Sequence, residues 1–318
     1  KYDGVLGVLA GLEIVRTLND LNIQTKHPIL VVNWTNEEGS RFPPAMMASA
    51  GYAGIYDVNT LLSAKDADGN VFGNELNKIG WKGSEPVGAQ KFQCYYELHI
   101  EQGPILETEE IDIGIVTHGQ GLKWLEVKLT GKEQHTGTTP MNVRKDTSLA
   151  MSEIILTVNT IANQNQPNAL GSVGHIEVSP NSRNVIAGQT LLTVDIRSPD
   201  INKLNKMEKE LKFSANEICL KYNVQIQIEQ IGGFDPVEFN KECLHHLRTN
   251  AEKFGYSHKD IVSGAGHDAC WINTVVPSAM IMCPCVDGLS HNEAEEIKPH
   301  WAASSTNVLL HAAIASAS

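Results

Sequence analysis

The sequence predicts an α/β protein in which a mixed, largely parallel sheet is flanked by helices and interrupted by an inserted α+β domain. Towards both ends of the chain, apolar runs of strand length alternate with segments of helical spacing, as in a sheet covered on both faces. Between about residues 119 and 233 the order becomes strand, helix, strand, strand, helix, strand. That order predicts a split βαβ, or ferredoxin-like, insertion.

The main domain is predicted from the spacing of its apolar residues. Residues 5–21 have helical spacing, and residues 29–34 form a strand-length run that is apolar except at Asn33. Further strands are expected at residues 95–100, 260–262 and 278–283, and further helices at residues 241–254 and 301–315. The main domain is therefore predicted to comprise residues 1–118 and 234–318.

The inserted domain is predicted at residues 119–233, between the glycine-flanked Gly119-Gln120-Gly121 and the pair Gly232-Gly233. Its strands are expected at residues 122–130, 172–178, 190–197 and 224–229, and its helices at residues 146–163 and 203–222.

Composition restricts the classes of partner. With 25 Lys+Arg against 37 Asp+Glu, the net charge of −12 argues against nucleic acid. The longest apolar runs are far shorter than the roughly 20 residues that a membrane helix needs. The six cysteines are irregularly spaced in apolar segments, which predicts reduced core thiols and a cytoplasmic protein. A metal or redox site at Cys283-Pro284-Cys285 is the weaker alternative to core packing.

The segment Asn36-Glu37-Glu38-Gly39-Ser40-Arg41-Phe42 follows a predicted strand and pairs two carboxylates. Strand ends in open α/β sheets face the binding crevice. There, one glutamate could bind a metal while its neighbour holds a proton as a general base. A solvated loop with two exposed glutamates is the alternative.

Three other residues at predicted strand or helix ends are metal-ligand candidates. Asp3 precedes the first helix and could instead be its N-cap. His99 ends a predicted strand and could instead be an ordinary core or rim histidine, and His291 lies in the loop after another predicted strand. Together with Glu38 they form an oxygen and imidazole set suited to Zn²⁺ or Mn²⁺.

Polar clusters surround His135 and Asn184 in the inserted domain and His267 in the main domain, and Arg197 ends a strand. An Arg at a strand end can bind a carboxylate through two hydrogen bonds, and a His or Asn can donate to an oxyanion. Turn formation, helix capping and a surface ion pair are the alternatives.

These segments, in this order, resemble one enzyme group. The matching motifs are Lys-Tyr-Asp-Gly at the start, Asn36 to Phe42, Glu97 to Leu106, His135 to Met141, Ser263 to Asp268 and Gly288 to Asn292. The chain resembles the N-carbamoyl-L-amino acid hydrolase, β-ureidopropionase and allantoate amidohydrolase group of the di-metal aminoacylase and carboxypeptidase (peptidase M20) superfamily. The resemblance extends over essentially the whole sequence.

The resemblance implies hydrolysis of a linear ureide that carries a carboxylate, giving an amino acid, carbon dioxide and ammonia. It implies two divalent metal ions, with zinc preferred and manganese, cobalt or nickel as alternatives. Asp3 would bridge them, Glu38 and His291 would complete one site, and His99 would belong to the other. Glu37 would be the general base, and His135 would bind the oxyanion from the partner subunit of a homodimer formed by the inserted domain. The implied substrate-binding residues are Gln102, Asn184, Arg197 and His267.

One feature departs from the pattern of the group. Its first metal ligand, a His in a His-x-Asp motif, lies upstream of the residue that matches Asp3, and this sequence starts at Lys1. A truncated chain is therefore expected. Two alternative functions remain open at this point: an aminoacylase or dipeptidase of the same superfamily, and a non-catalytic dimerising homologue.

Overall fold

A computed structural model describes residues 2–318. The α-helices, in chain order, are α1 (Val5–Asp20), α2 (Met47–Ala53), α3 (Val58–Leu62), α4 (Phe72–Lys78), α5 (Ile105–Thr108), α6 (Thr147–Gln164), α7 (Ile201–Tyr222), α8 (Lys241–Lys253), α9 (Asp268–Ile272) and α10 (Pro299–Ala317). Short 3₁₀ turns cover Met141–Val143 and Val286–Gly288.

The strands are β1 (Tyr95–Ile100), β2 (Ile113–Gly119), β3 (Gly121–Thr130), β4 (Gln134–His135), β5 (Leu170–Ser179), β6 (Val185–Ile186), β7 (Gln189–Ser198), β8 (Gln225–Phe234), β9 (Val237–Glu238), β10 (His258–Ser263) and β11 (Ser278–Cys283). The chain divides into two compact units. The first runs up to Gly119 and resumes at Glu238–Ser318, and the second is Gln120–Val237.

The first unit has a mixed sheet in the order β1-β11-β2-β10, with β9 added beside β2. β1 pairs with β11 in parallel, β10 pairs with β2 in parallel, and β11 pairs with β2 antiparallel. Every residue of β11 is buried, as expected for a central strand covered on both faces. Helices α1, α8 and α10 pack against this sheet, which confirms the predicted mixed α/β class.

One strand prediction for this unit is wrong, and one strand was not predicted. Residues 29–34 form no strand, and Leu30 and Val31 remain 50% and 36% exposed. An apolar run becomes a strand only when a neighbour bonds to its backbone, and this run reaches β1 through a side chain, Trp34 Nε1 donating to Tyr95 Oη at 3.1 Å. The buried central strand β2 was not predicted.

The second unit is a four-stranded sheet in the order β5-β7-β3-β8, antiparallel at every pairing. Helices α6 and α7 cover one face, and Leu125, Val194 and Leu211 are buried in the core between sheet and helices. The helices and strands follow the predicted order closely. Strand β8 continues through Gly232 and Gly233, so the unit extends to Val237.

Within residues 2–318, none of the helices combines the length and apolar character needed to cross a membrane.

Candidate active site

The site is built on the contact between α1 and β1. Gly7 of α1 lies so close to β1 that a Cβ there would be 2.5 Å from the Leu98 carbonyl oxygen. Just before the helix, the backbone N–H groups of Tyr2 and Asp3 donate to Glu295 Oε1 at 2.8 and 3.0 Å. Asp3 is not the N-cap of α1, since Gly4 holds that position without a side-chain cap.

The Asp3 carboxylate faces two imidazoles with its two oxygens. Oδ1 lies 2.8 Å from His99 Nε2, and Oδ2 lies 3.2 Å from His291 Nε2. Gln102 Nε2 and Ser290 Oγ also donate to Oδ2, each at 3.2 Å. One oxygen of the Asp3 carboxylate therefore faces each of the two histidines.

Asp3, Glu38 and His291 form a compact donor set, with one ligand atom from each lying within 4.8 Å of the others. His291 Nε2 is 3.3 Å from Glu38 Oε1. Two donors bound tetrahedrally to zinc at roughly 2.0–2.1 Å are about 3.4 Å apart. The oxygen and imidazole donors and their separations therefore fit a divalent cation.

His99 is buried at the end of β1, and its Nδ1 donates to the Ile100 carbonyl oxygen at 2.8 Å. This bond directs Nε2 toward Asp3, as in metal-binding histidines whose second nitrogen is held by a carbonyl. Burial lowers the pKa of His99, but the hydrogen bond to Asp3 and the charge of Glu97 outweigh it and raise the pKa to about 9. Burial likewise raises the pKa of Asp3, but the hydrogen bond and charge of His99 hold it well below its usual range.

Glu37 differs from a solvated glutamate. Burial, followed by the charge of Glu38, raises the pKa of Glu37 to about 7. A carboxyl group with this pKa can both accept and release a proton near neutral pH. The environment of Glu37 therefore suits a general base and acid.

The loop that carries Glu37 and Glu38 is tightly turned rather than loose. Gly39 has φ +66°, and a Cβ there would lie 2.6 Å from the Ala45 backbone nitrogen. Asn36, also left-handed, donates from Nδ2 to the Phe42 carbonyl oxygen at 2.6 Å. This turn fixes the backbone from which the two glutamate side chains extend.

The loop after β1 and the loop after β11 come into close contact at Gly288. Gly288 has φ +65°, and a Cβ there would lie 2.6 Å from the Pro104 nitrogen. This approach brings Gln102 within 2.8 Å of Ser290 Oγ, and both side chains donate to Asp3. Gln102 and His291 are left-handed non-glycine residues, a strained conformation that concentrates at functional sites.

Behind His99 lies a buried polar network that the sequence prediction included only in part. His267, 2% exposed, contacts Ser263 Oγ through Nε2 at 2.7 Å, and its ring stands edge-on to His99 at 4.6 Å. Burial and then the charge of His99 keep the pKa of His267 well below its usual value. Its Nδ1 is 3.8 Å from Glu97 Oε1.

Glu97 and Asp268 were not among the predicted site residues. Burial raises the pKa of Glu97, which accepts from Tyr95 Oη at 2.8 Å and from the Ala269 backbone N–H at 2.9 Å. Burial, with the charge of Glu97, raises the pKa of Asp268 to about 8, and Ser49 Oγ donates to its carboxyl group. Glu97 could have been found from the sequence, because it shares one face of β1 with His99.

The remaining predicted residues lie in the second unit. β4 and β6 pair His135 with Val185, and the Thr136 N–H donates to the Asn184 carbonyl oxygen at 2.9 Å, so His135 and Asn184 are neighbours. Both are exposed. Arg197 on β7 donates to Asp195 from Nε at 3.0 Å and from Nη2 at 2.7 Å.

Asp3, Glu37, Glu38, His99 and His267 line one cavity of about 1000 Å³. Carboxylates and imidazoles gathered in one cavity beside a glutamate of raised pKa suit metal-assisted hydrolysis.

Comparison with known proteins identifies the family. Residues 1–315 match Peptidase family M20/M25/M40, and the chain belongs to it. It is 56% identical over 317 residues to the N-carbamoyl-L-amino-acid amidohydrolase of Rhizobium meliloti, covering 100% of this chain and 76% of the relative. The allantoate amidohydrolase of Escherichia coli (strain K12) is 33% identical over 298 residues, covering 93% and 72%. The chain is thus an amidohydrolase of the kind that acts on C–N bonds other than peptide bonds.

A solved structure agrees in fold. The hydantoinase/carbamoylase family amidase from Burkholderia multivorans superposes with a TM-score of 0.95 at 48% identity, covering 99% of this chain and 77% of that one.

Proposed function

We propose that the protein hydrolyses the ureido C–N bond of an N-carbamoyl-L-amino acid or a related ureide that carries a carboxylate. The products would be the amino acid, carbon dioxide and ammonia. The observation that carries this proposal is the Asp3 carboxylate shared between His99 and His291, with Glu38 beside it and Glu37 at a pKa of about 7. The similarity to N-carbamoyl-L-amino-acid amidohydrolases supports the substrate class.

We propose that the donor set holds two divalent cations, in keeping with the general use of divalent metals in this family. Asp3 would be common to both, Glu38 and His291 would belong to one, and His99 to the other. When bound, such ions polarise the ureido carbonyl and lower the pKa of water. Zinc fits the oxygen and imidazole donors best, while manganese, cobalt and nickel accept the same ligands.

Glu37 would carry the proton. Its carboxylate would accept a proton from the attacking water and then release it to the nitrogen of the leaving group. A pKa of about 7 suits both steps, because neither form is strongly favoured at neutral pH.

Four residues are proposed to hold the substrate, with Arg197 on its carboxylate: Gln102, Asn184, Arg197 and His267. Arg197 suits this role because Asp195 holds its guanidinium plane through two hydrogen bonds, which fixes the direction of its donors. Burial keeps His267 uncharged, so it would bind a neutral polar group of the substrate.

We propose a homodimer in which the inserted unit serves as dimerisation domain and lid and His135 donates to the oxyanion. Exposure of His135 supports a role toward a group outside its own unit. The same unit exposes large apolar side chains, among them Leu156 at 69% and Phe213 at 71%. Sedimentation equilibrium would test this; a protein that remains monomeric at micromolar concentration would rule it out.

The proposed function is tested by ammonia release from N-carbamoyl-β-alanine, N-carbamoyl-L-amino acids and allantoate. The gene product would be assayed with added divalent metal and with EDTA, alongside N-acetyl amino acids and a dipeptide. Metal-dependent release from a ureide is expected. Hydrolysis of only the acetyl or peptide substrates would indicate an aminoacylase or dipeptidase, and inactivity with two metals bound would indicate a non-catalytic homologue.

A further inference from the structure

His135 is held by its own loop in one tautomer. The Gly137 backbone N–H donates to His135 Nδ1 at 3.1 Å. An imidazole nitrogen that accepts a hydrogen bond has no proton, so the neutral ring has its proton on Nε2. The loop thereby leaves Nε2–H as the donor of this side chain.

The loop has little freedom to release the ring. A Cβ at position 137 would lie 3.3 Å from His135 Cε1, a tight contact that the ring or the loop would have to relieve by shifting. Beyond it, Thr139 returns to the start of the loop and donates to the His135 carbonyl oxygen from its N–H at 3.2 Å and from Oγ1 at 2.8 Å.

A single guanidinium braces this loop on both sides of Gly137. Arg144 donates from Nη2 to the Thr136 carbonyl oxygen at 2.7 Å and from Nε to the Thr139 carbonyl oxygen at 3.1 Å. Because the guanidinium is planar and rigid, the two bonds fix the separation and direction of the two carbonyl groups. Gly137 lies between them.

Arg144 itself extends from a fixed part of the inserted unit. The carbonyl oxygen of the next residue, Lys145, accepts from the Lys132 N–H at 3.0 Å. Gly131 lies so close to this carbonyl that a Cβ at position 131 would not fit. Thr147, fully buried, donates from Oγ1 to the Ala187 carbonyl oxygen at 3.0 Å. The brace therefore connects the exposed loop to the core of the unit.

We propose that Arg144 is a positioning residue for His135: it holds residues 136–139 so that the Gly137 amide keeps His135 as a fixed Nε2–H donor. This inference rests on the proposed function, in which that donor binds the oxyanion. A donor held in the correct tautomer needs no reorganisation during the reaction, which is the condition for effective oxyanion stabilisation.

The test compares Arg144→Ala and Arg144→Lys with a matched control, Lys203→Ala. Lys203 also lies in the inserted unit and donates from Nζ to the Pro167 carbonyl oxygen at 3.1 Å. This contact lies beyond the C-terminal end of α6, a helix of 18 residues that is roughly 27 Å long, whereas the His135 loop lies before its N-terminal end. Two readouts are needed: kcat and KM on the active ureide, and the His135 tautomer from long-range ¹H–¹⁵N NMR of histidine-labelled protein.

We expect Arg144→Ala to lower kcat by about 10- to 100-fold with little change in KM, less than the roughly 10²- to 10³-fold for loss of the donor in His135→Ala. In Arg144→Ala the Nε2–H tautomer of His135 should give way to a mixture of tautomers. Arg144→Lys should recover part of the kcat and part of the Nε2–H tautomer, and Lys203→Ala should change neither. An unchanged tautomer in Arg144→Ala would overturn the inference. Full activity of His135→Ala would instead refute the oxyanion role in the proposed function, whatever the tautomer.

A second variant keeps the inference testable if Arg144→Ala does not fold. Gly137→Ala leaves the brace intact but places a Cβ against the His135 ring. The same loss of kcat and of the Nε2–H tautomer is expected, and retention of both would contradict the proposal.

Discussion

The two units hold their candidate functional residues in different ways. In the first, Asp3, His99 and Glu37 are partly or fully buried among like and unlike charges, and their pKa values depart far from ordinary ones. In the second, His135 and Asn184 are exposed and are held by backbone hydrogen bonds. Substitutions in the first unit should therefore change charge and metal binding, whereas those in the second should change contacts with the substrate and the positions of the groups that make them.

The largest effect is expected from Asp3→Asn. Because Asp3 faces both His99 and His291, its substitution should lower the affinity for both cations. The loss should exceed the roughly 10- to 100-fold loss of affinity that follows removal of an outer-shell partner. Glu38→Gln should weaken only one of them. Metal content after dialysis would check this, and loss of a single ion in Asp3→Asn would argue against a shared carboxylate.

Glu37→Gln should come next. Removing the proton carrier should lower kcat by about 10²- to 10⁴-fold while two metal ions remain bound. Steady-state kinetics and elemental analysis would be measured on the same sample, with Glu38→Gln as the matched control. Loss of metal from Glu37→Gln, with retention in Glu38→Gln, would reverse the two assignments.

Arg197→Ala tests the second unit. Losing a charge-assisted contact with the substrate carboxylate costs about 1.5–3 kcal/mol, or roughly 10- to 100-fold in KM, with kcat and metal content kept. Arg183→Ala, an exposed arginine of the same unit, is the control. An unchanged KM would remove Arg197 from the substrate-binding residues.

Asp268 should affect the dependence of stability on pH. In the folded chain its pKa is about 8 against an ordinary 3.8, so between these pH values the folded state binds more protons and stability falls as pH rises. In the wild type this fall in the free energy of unfolding is at most about 1.4 kcal/mol per pH unit, and Asp268→Asn should remove it. Thermal unfolding in EDTA from pH 5 to 8 would measure it, and parallel curves for variant and wild type would contradict it.

The sequence was sufficient to predict the layered fold, and it predicted a meeting of the candidate ligands at strand ends, although only His99 and His291 are carried by or follow a strand. Asp3, Glu38, His99 and His291 do lie together. Strand β2 was missed because Gly114 and Thr117 interrupt its apolar run; at Gly114 a Cβ would be 2.4 Å from Ile261. Arg144 was missed because it acts through backbone carbonyl groups, which leave no pattern of side chains.

Strand β1 also sets a constraint on how this protein can vary. Glu97 and His99 of β1, and Glu101 just after it, occupy alternate positions. Glu97 faces His267, His99 contacts Asp3, and Glu101 accepts from the backbone N–H groups at the start of α5. Deleting one residue within Tyr95–Ile100 would turn the residues before the deletion to the opposite face. Length changes should therefore be tolerated in surface loops of this chain and excluded from these six positions.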